Sequence, residues 1–244
     1  MMIKTEYARL YMDSQLNHSS GYFGEDDASL DGAQLSKNLE VLRKCRIRPS
    51  DRVLDIGCGW GAAARLAAEE YRGRVIGLTL SPEQHAHACR SQEGVPEDRR
   101  IDFRLQSWED FTEPVDRIIC VNAFETFKDK ESFLPHCRRL LPDDGVMVML
   151  TVTADRPMFR VISRDRIVER GERAGFDVEV SASLAPDYAR TLDHFVANLE
   201  RNREAAVAIA GVTEYEKQVT HYRECAGFLR NGLNDMFEFT FTSR

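Results

Sequence analysis

Val53-Leu54-Asp55-Ile56-Gly57-Cys58-Gly59-Trp60-Gly61 is the stretch that decides the fold. A short apolar run enters a turn with three alternating glycines, and residues 62–71 continue with helical spacing. A strand that turns directly into a helix through glycines brings its backbone close to a ligand without Cβ clashes. The helix N-terminus that follows favours electron-rich groups.

The rest of the chain repeats the alternation. Apolar runs at 75–80, 117–121 and 146–152 predict strands covered on both faces. Residues 101–105 alternate with period two, and 178–180 with 236–242 form a late strand pair. Helical patterns lie between them. Leu35, Leu39 and Leu42 are expected on one buried face. Ser81-Pro82-Glu83 opens a helix with a serine cap. Residues 133–141 stop at Pro142-Asp143-Asp144-Gly145, and 165–174 stop at Gly175. Leu192, Phe195, Val196 and Leu199, then Val219, Tyr222, Ala226 and Leu229, give two later amphipathic faces. The sum is an α/β fold: a doubly wound, mostly parallel seven-stranded sheet with N-terminal helices and a helical cover. It is expected as one domain over 1–244. Residues 1–48 form a helical cap, 49–153 the ligand-binding core, and 154–244 the acceptor-side helices and last strands.

Bulk numbers narrow the function. The chain has 244 residues, 43% hydrophobic and 30% charged, with a formal charge of -7. That balance disfavours a phosphate-tracking nucleic-acid binder. The N-terminus, Met1-Met2-Ile3-Lys4, lacks a signal-peptide pattern, and no apolar run is long enough for stable membrane insertion. Cys45, Cys58, Cys89, Cys120, Cys137 and Cys225 form no C-x-x-C pair, which reads as a reduced cytoplasmic protein. His85, His87, His136, His194 and His221 have no metal-ligand grouping and read as solvated, so no metal is expected. Self-association is left open.

A lone glycine turn also fits a dinucleotide fingerprint through Gly57, Gly59 and Ala62. Two features oppose a dinucleotide. Asp55 sits where it would repel a pyrophosphate but attract an ammonium. The second strand tip, Leu78-Thr79-Leu80-Ser81, lacks the carboxylate that a nicotinamide site places about 20 residues on. A cationic, phosphate-free cofactor fits better.

Further motifs make the resemblance specific. Val53 to Gly61, Leu78-Thr79-Leu80-Ser81 with Gln84, Ser107-Trp108-Glu109, Glu113-Pro114-Val115-Asp116-Arg117, Ala123-Phe124-Glu125 and Tyr215-Glu216 with Cys225-Ala226 occur in order. Together they resemble the cyclopropane fatty acid synthase and mycolic acid methyltransferase family from about Gly21 onward. The resemblance implies S-adenosyl-L-methionine as cofactor. It places Gly57 and Gly59 at the methionyl part, Thr79, Leu80 and Gln84 at the ribose, and Trp108 and Glu109 at the adenine. His18 falls where the family has a cofactor-side tyrosine. Asp55, Gly61, Ser107 and Asn122 complete the expected cofactor set.

An alkene acceptor methylated on carbon passes through a carbocation, which needs aromatic faces and a base. Tyr22, Phe23, Phe124 and Phe195 are expected on the acceptor side. The family holds a bicarbonate base with a cysteine, a glutamate, a histidine and a tyrosine. By resemblance the catalytic set here is Glu125, Tyr188 and Ser20, with serine in place of the cysteine. Leu150 stands at the histidine position, and Thr126 where a histidine commonly follows the glutamate. Bicarbonate binding is therefore left open. The family's longer segment after the fifth strand is also cut down, since Thr153 to Met158 leads almost directly to Phe176. A lipid or a smaller acceptor, such as a specialised metabolite, is implied. Nitrogen or oxygen methylation on the same scaffold, and a non-catalytic cofactor-binding protein, are the competing functions.

Overall fold

The computed structural model describes residues 4–24, 29–155 and 161–244. Residues 1–3, at the start of the N-terminal motif, and 156–160, in the shortened segment after the fifth strand, lie outside them. Strands β1 (Arg52–Ile56), β2 (Arg74–Thr79), β3 (Asp102–Leu105), β4 (Arg117–Val121), β5 (Val146–Thr153), β6 (Phe176–Val180) and β7 (Asp235–Ser243) form one sheet in the order β3-β2-β1-β4-β5-β7-β6. β1 to β5 pair in parallel, and β7 runs antiparallel between β5 and β6. The order reverses between β1 and β4. A crevice opens there at the carboxyl ends of the strands, where such sheets bind ligands.

Helices cover both sheet faces. α2 (Leu30–Lys44), α3 (Ala62–Tyr71) and α4 (Pro82–Arg90) pack one side, and α5 (Lys130–Leu140) and α6 (Arg164–Arg173) the other. Along β1, Val53 points into the first core, while Leu54 and Ile56 point into the second. That alternation follows the two-residue pleat. A third core lies above the carboxyl ends. It joins α1 (Thr5–Ala8), α7 (Ala185–Arg201), α8 (Arg203–Ala210) and α9 (Val212–Arg230). Trp60 ties this cover to the glycine turn: the ring is 1% exposed, and its indole N–H donates to Thr5 Oγ1 at 3.1 Å.

The expected apolar face of α2 is corrected. Leu35 and Leu39 are exposed, at 51% and 40%. The buried face carries Gln34, Lys37 and Asn38 beside Val41 and Leu42. Two histidines read as solvated are also engaged with backbone: His85 with the carbonyl of Phe103 at 3.0 Å and His136 with that of Phe111 at 2.9 Å.

Candidate functional site

The glycine turn borders a cavity of about 400 Å³. Its walls come from the strand tips: Asp55 to Trp60 after β1, Leu78 to Ser81 after β2, Gln106 after β3, and Val121 to Ala123 at β4. A Cβ on Gly57 would lie 2.4 Å from the Ala123 Cβ, at φ +78°, so only glycine fits. A Cβ on Gly59, at φ +56°, would meet nothing within 4 Å; its open side leaves room for a ligand against the backbone. His18, Asp55, Gly57, Gly59, Thr79, Leu80, Gln84, Trp108 and Asn122 all line this cavity.

Its electrostatics come from a buried acid and a buried base. Asp55 is 2% exposed, and its Oδ2 has no hydrogen-bond partner. Burial pushes its carboxyl up to about 7, opposed by the charge of Lys37. Lys37 is 1% exposed and also lines the cavity. Burial lowers its amine to about 8, against the pull of Asp13 and Asp55. The ammonium donates to Asn38 Oδ1, Ser19 Oγ and Asn17 Oδ1 at 2.6, 3.0 and 3.4 Å. It thereby fixes the segment 17–19 that forms one wall. A partnerless buried carboxylate in a wet crevice suits a ligand ammonium, because leaving such a group unpaired costs about 1–3 kcal/mol. Asn122 Oδ1 is a second buried oxygen without a partner. Thr79 Oγ1 donates to Gln84 Oε1 at 2.8 Å, holding the β2 tip against α4. Trp108 meets Phe133 edge-on and is 7% exposed, with one side left to the cavity. These features fit the zwitterionic methionyl end and flat adenine of S-adenosylmethionine.

Other expected cofactor residues stand apart. Gly61 faces Phe103 rather than the cavity. Ser107 caps the short turn 108–110 and hydrogen-bonds the exposed Glu109 at 3.0 Å; neither lines the cavity. The cavity also recruits residues the sequence did not single out for it, including Lys37, Asn17, Cys58, Gln106 and Phe127. Only Cys58, inside the glycine turn, carried a local signal.

Glu125 is anchored from one side. Its Oε1 accepts from the Val152 N–H at 2.8 Å and from Asn122 Nδ2 at 3.2 Å. Its Oε2 is buried without a partner. Burial raises its carboxyl above the usual range, partly offset by the Val152 N–H, the Thr151 hydroxyl and the charge of Lys130. Tyr188 on α7 lies within electrostatic reach of Glu125, Cys225 and Tyr222, and burial together with these neighbours raises its hydroxyl. The fold thus brings Glu125 and Tyr188 together. Ser20 does not present a free hydroxyl: it is fully buried and donates to the Gly21 carbonyl at 2.9 Å. Leu150 is also fully buried. With an apolar side chain and an engaged serine where two donors are needed, these residues do not fit a bicarbonate.

The four expected acceptor-side aromatics are placed differently. Phe124 is 1% exposed and packs on Phe127 and Phe133, so it belongs to the core under the sheet. Tyr22 donates to Glu238 Oε2 at 2.9 Å, next to the Lys44–Glu238 pair. Phe23 stacks on His194, with Arg190 over its ring. Phe195 is 1% exposed within the cover, stacked on His18 with centroids 6.0 Å apart. Phe195 touches the wall residue His18, and Phe124 touches the wall residue Phe127 from the core side. Among the described residues no group of three His, Cys, Asp or Glu could hold a metal. No described helix is long and apolar enough to cross a membrane.

The chain matches the family described as mycolic acid cyclopropane synthetase over residues 3–239. It is 35% identical to cyclopropane mycolic acid synthase 3 of Mycobacterium tuberculosis, covering 98% of this chain and 93% of that protein. It is 32% identical to the S-adenosylmethionine-dependent methyltransferase UmaA of the same species, covering 98% and 94%. The first alignment runs over 271 positions against 244 residues here, so that relative carries residues this chain lacks. The solved cyclopropane synthase MmaA2 from Mycobacterium tuberculosis superposes with a TM-score of 0.94 at 31% identity, covering 99% of this chain and 95% of that one. Mycolic acid cyclopropane synthase CmaA1 complexed with SAH and CTAB gives 0.92 at 34% identity, covering 98% and 94%. The cavity at the strand switch, its partnerless carboxylate and these likenesses converge: the chain is an S-adenosylmethionine-dependent methyltransferase of the mycolic acid cyclopropane synthetase family.

Proposed function

We propose that the enzyme methylates carbon in an alkene-bearing lipid or a related small molecule. S-adenosylmethionine supplies an activated methyl on a sulfonium, so the protein's task is alignment and charge placement. Asp55 would take the ammonium, and Asn122 would link the cofactor cavity to Glu125. The observation that carries the acceptor chemistry is the buried, partnerless Oε2 of Glu125. A negative oxygen held in a dry site stabilises a nearby carbocation far better than one in water. The Val152 N–H keeps that oxygen's partner in place, so no reorganisation is needed when charge develops. The relative's extra aligned residues and this chain's short connection after β5 support an acceptor other than a long mycolate-like chain.

The test uses two vesicle preparations with one headgroup, one with cis-monounsaturated chains and one fully saturated. The enzyme and methyl-labelled cofactor should label only the unsaturated lipid. Equal labelling of both would assign the methyl to headgroup nitrogen or oxygen and overturn the carbon reading.

A further inference from the structure

We propose that His18 is the proton acceptor of the reaction, held for that task by a buried Tyr222–Tyr11–Gln218 network. This rests on the carbon-methylation reading above. His18 is exposed and lines the cofactor cavity, and its ring contacts Tyr11, Phe195 and Tyr222 of the helical cover. It stacks on Phe195 of α7 at 11° between planes and meets Tyr11 edge-on at 6.4 Å. It therefore stands at the boundary between methyl donor and cover, where an acceptor must approach.

The network accommodates a ring tautomer that suits a base. Tyr222 Oη donates to Tyr11 Oη at 3.1 Å. Gln218 Nε2 donates to both hydroxyls, at 2.8 and 3.3 Å. His18 Nε2 lies 2.9 Å from Tyr222 Oη. With the Tyr222 proton directed at Tyr11, its oxygen accepts from Gln218 and from the His18 Nε2–H. That tautomer leaves a lone pair on Nδ1, which has no partner among the described residues. The two ring nitrogens are coupled, so fixing Nε2–H makes Nδ1 the basic one.

The groups facing the ring are Tyr11 beyond α1, Tyr222 and His221 on α9, and the apolar Phe195 on α7. None is a carboxylate. Desolvation by the neighbouring rings, helped by His221, lowers the imidazole below its ordinary value, so it is neutral near pH 7. So weak a base does not deprotonate a hydroxyl or an ammonium in its ground state. It does suffice for a carbon acid next to a cationic carbon. The balance is complete. The alkene π pair forms the new bond to the methyl carbon, and the methyl–sulfur bond breaks with its pair going to sulfur. The resulting cation loses a proton from the transferred carbon to Nδ1, and the freed C–H pair closes the ring.

The experiment compares wild type, His18→Asn and Tyr222→Phe by three readouts. Calorimetry with S-adenosylhomocysteine should give affinities within about twofold of each other. Nitrogen-15 spectra of the histidines, with S-adenosylhomocysteine bound, should show His18 as the Nε2–H tautomer with a bare Nδ1 at pH 7. Labelling of cis-monounsaturated phosphatidylglycerol vesicles should fall about 100-fold or more in His18→Asn, the scale of general-base loss. In Tyr222→Phe it should fall less and show a shifted pH profile. A proton found on Nδ1 would overturn the proposal. So would cofactor affinity weakened tenfold in His18→Asn with turnover kept at saturation, which would make His18 a cofactor ligand. Wild-type protein that labels nothing removes the carbon-methylation reading, and this proposal with it. Undiminished labelling by His18→Asn removes the proposal alone.

Discussion

The two ends of the site differ in how they are built. The cofactor end is made of backbone turns at the strand tips, with Gly57, Gly59, Asp55 and Asn122 projecting from one rigid sheet. The acceptor end is assembled from side chains on separate elements: Glu125 after β4, Tyr188 and Phe195 on α7, Tyr222 on α9 and His18 near the N-terminus. The sheet tolerates little change, because its strands are paired up to Ile56 and Val121 and the turns beyond them are bonded back to neighbouring strands, Gly57 N–H to Leu78 O and Asn122 N–H to Leu150 O. The helical cover can be repacked, and its chemistry can drift while methyl-donor binding stays. The positions at which the resemblance implies a different residue are Ser20, Thr126, Leu150 and His18, and of these Thr126 and His18 also line the cofactor cavity.

The largest expected effect comes from breaking the rigid end. Gly57→Val sets a side chain in left-handed backbone and against Ala123, costing about 3 kcal/mol from the conformation and the clash together. Thermal unfolding should show that loss, and S-adenosylhomocysteine binding should be abolished in calorimetry. Glu125→Gln attacks only the acceptor end. Turnover should drop by roughly 10²- to 10⁴-fold, on the scale of positioned charge and proton-transfer groups. Cofactor affinity should stay within about twofold. Equal losses of both would erase the distinction between the ends.

Asp55→Asn should weaken S-adenosylhomocysteine by about 10- to 100-fold, the worth of a hydrogen bond to a charged group. The pH dependence has a definite sign. The empty site holds Asp55 at about 7, and a bound ammonium favours its ionised form. Affinity should therefore be constant above that value and fall about tenfold per unit as pH drops below it. The Asn variant should lose this slope, which calorimetry from about pH 7.5 to about pH 5.5 measures. The smallest effect is expected at Glu109. It is exposed, lies outside the cavity lining and hydrogen-bonds its own cap, Ser107, so Glu109→Ala should leave cofactor affinity within about twofold. A tenfold loss would restore it to the adenine site.

Legibility followed the same division. The glycine turn, five parallel strands and late strand pair were readable, because periods of two and 3.6 are local signals. The face of α2 was not. Residues 35, 39 and 42 and residues 34, 37/38 and 41 both have helical spacing, and hydrophobicity favours the first. The polar stripe is buried because Asn17 and Ser19 supply its partners, together with Asn38 alongside Lys37. Nothing local announces that, so Lys37 went unnoticed. By sequence position alone, His18 reads as a cofactor residue. Its bond to Tyr222 spans 204 residues of chain and depends on how α9 docks. Phe124 sits next to Glu125 in sequence, yet the short turn 124–126 sends the two side chains in opposite directions, one into the core and one toward the cover.

The proposed reaction is a methyl transfer to carbon followed by loss of a proton from that same carbon. Mass spectrometry of the acyl chains after reaction with a methyl-trideuterated cofactor tests it most directly. Methylation on carbon should give an added carbon on the unsaturated chain that keeps all but one of its deuterons, with the missing one gone to the base. A fully deuterated methyl on nitrogen, oxygen or carbon would contradict it.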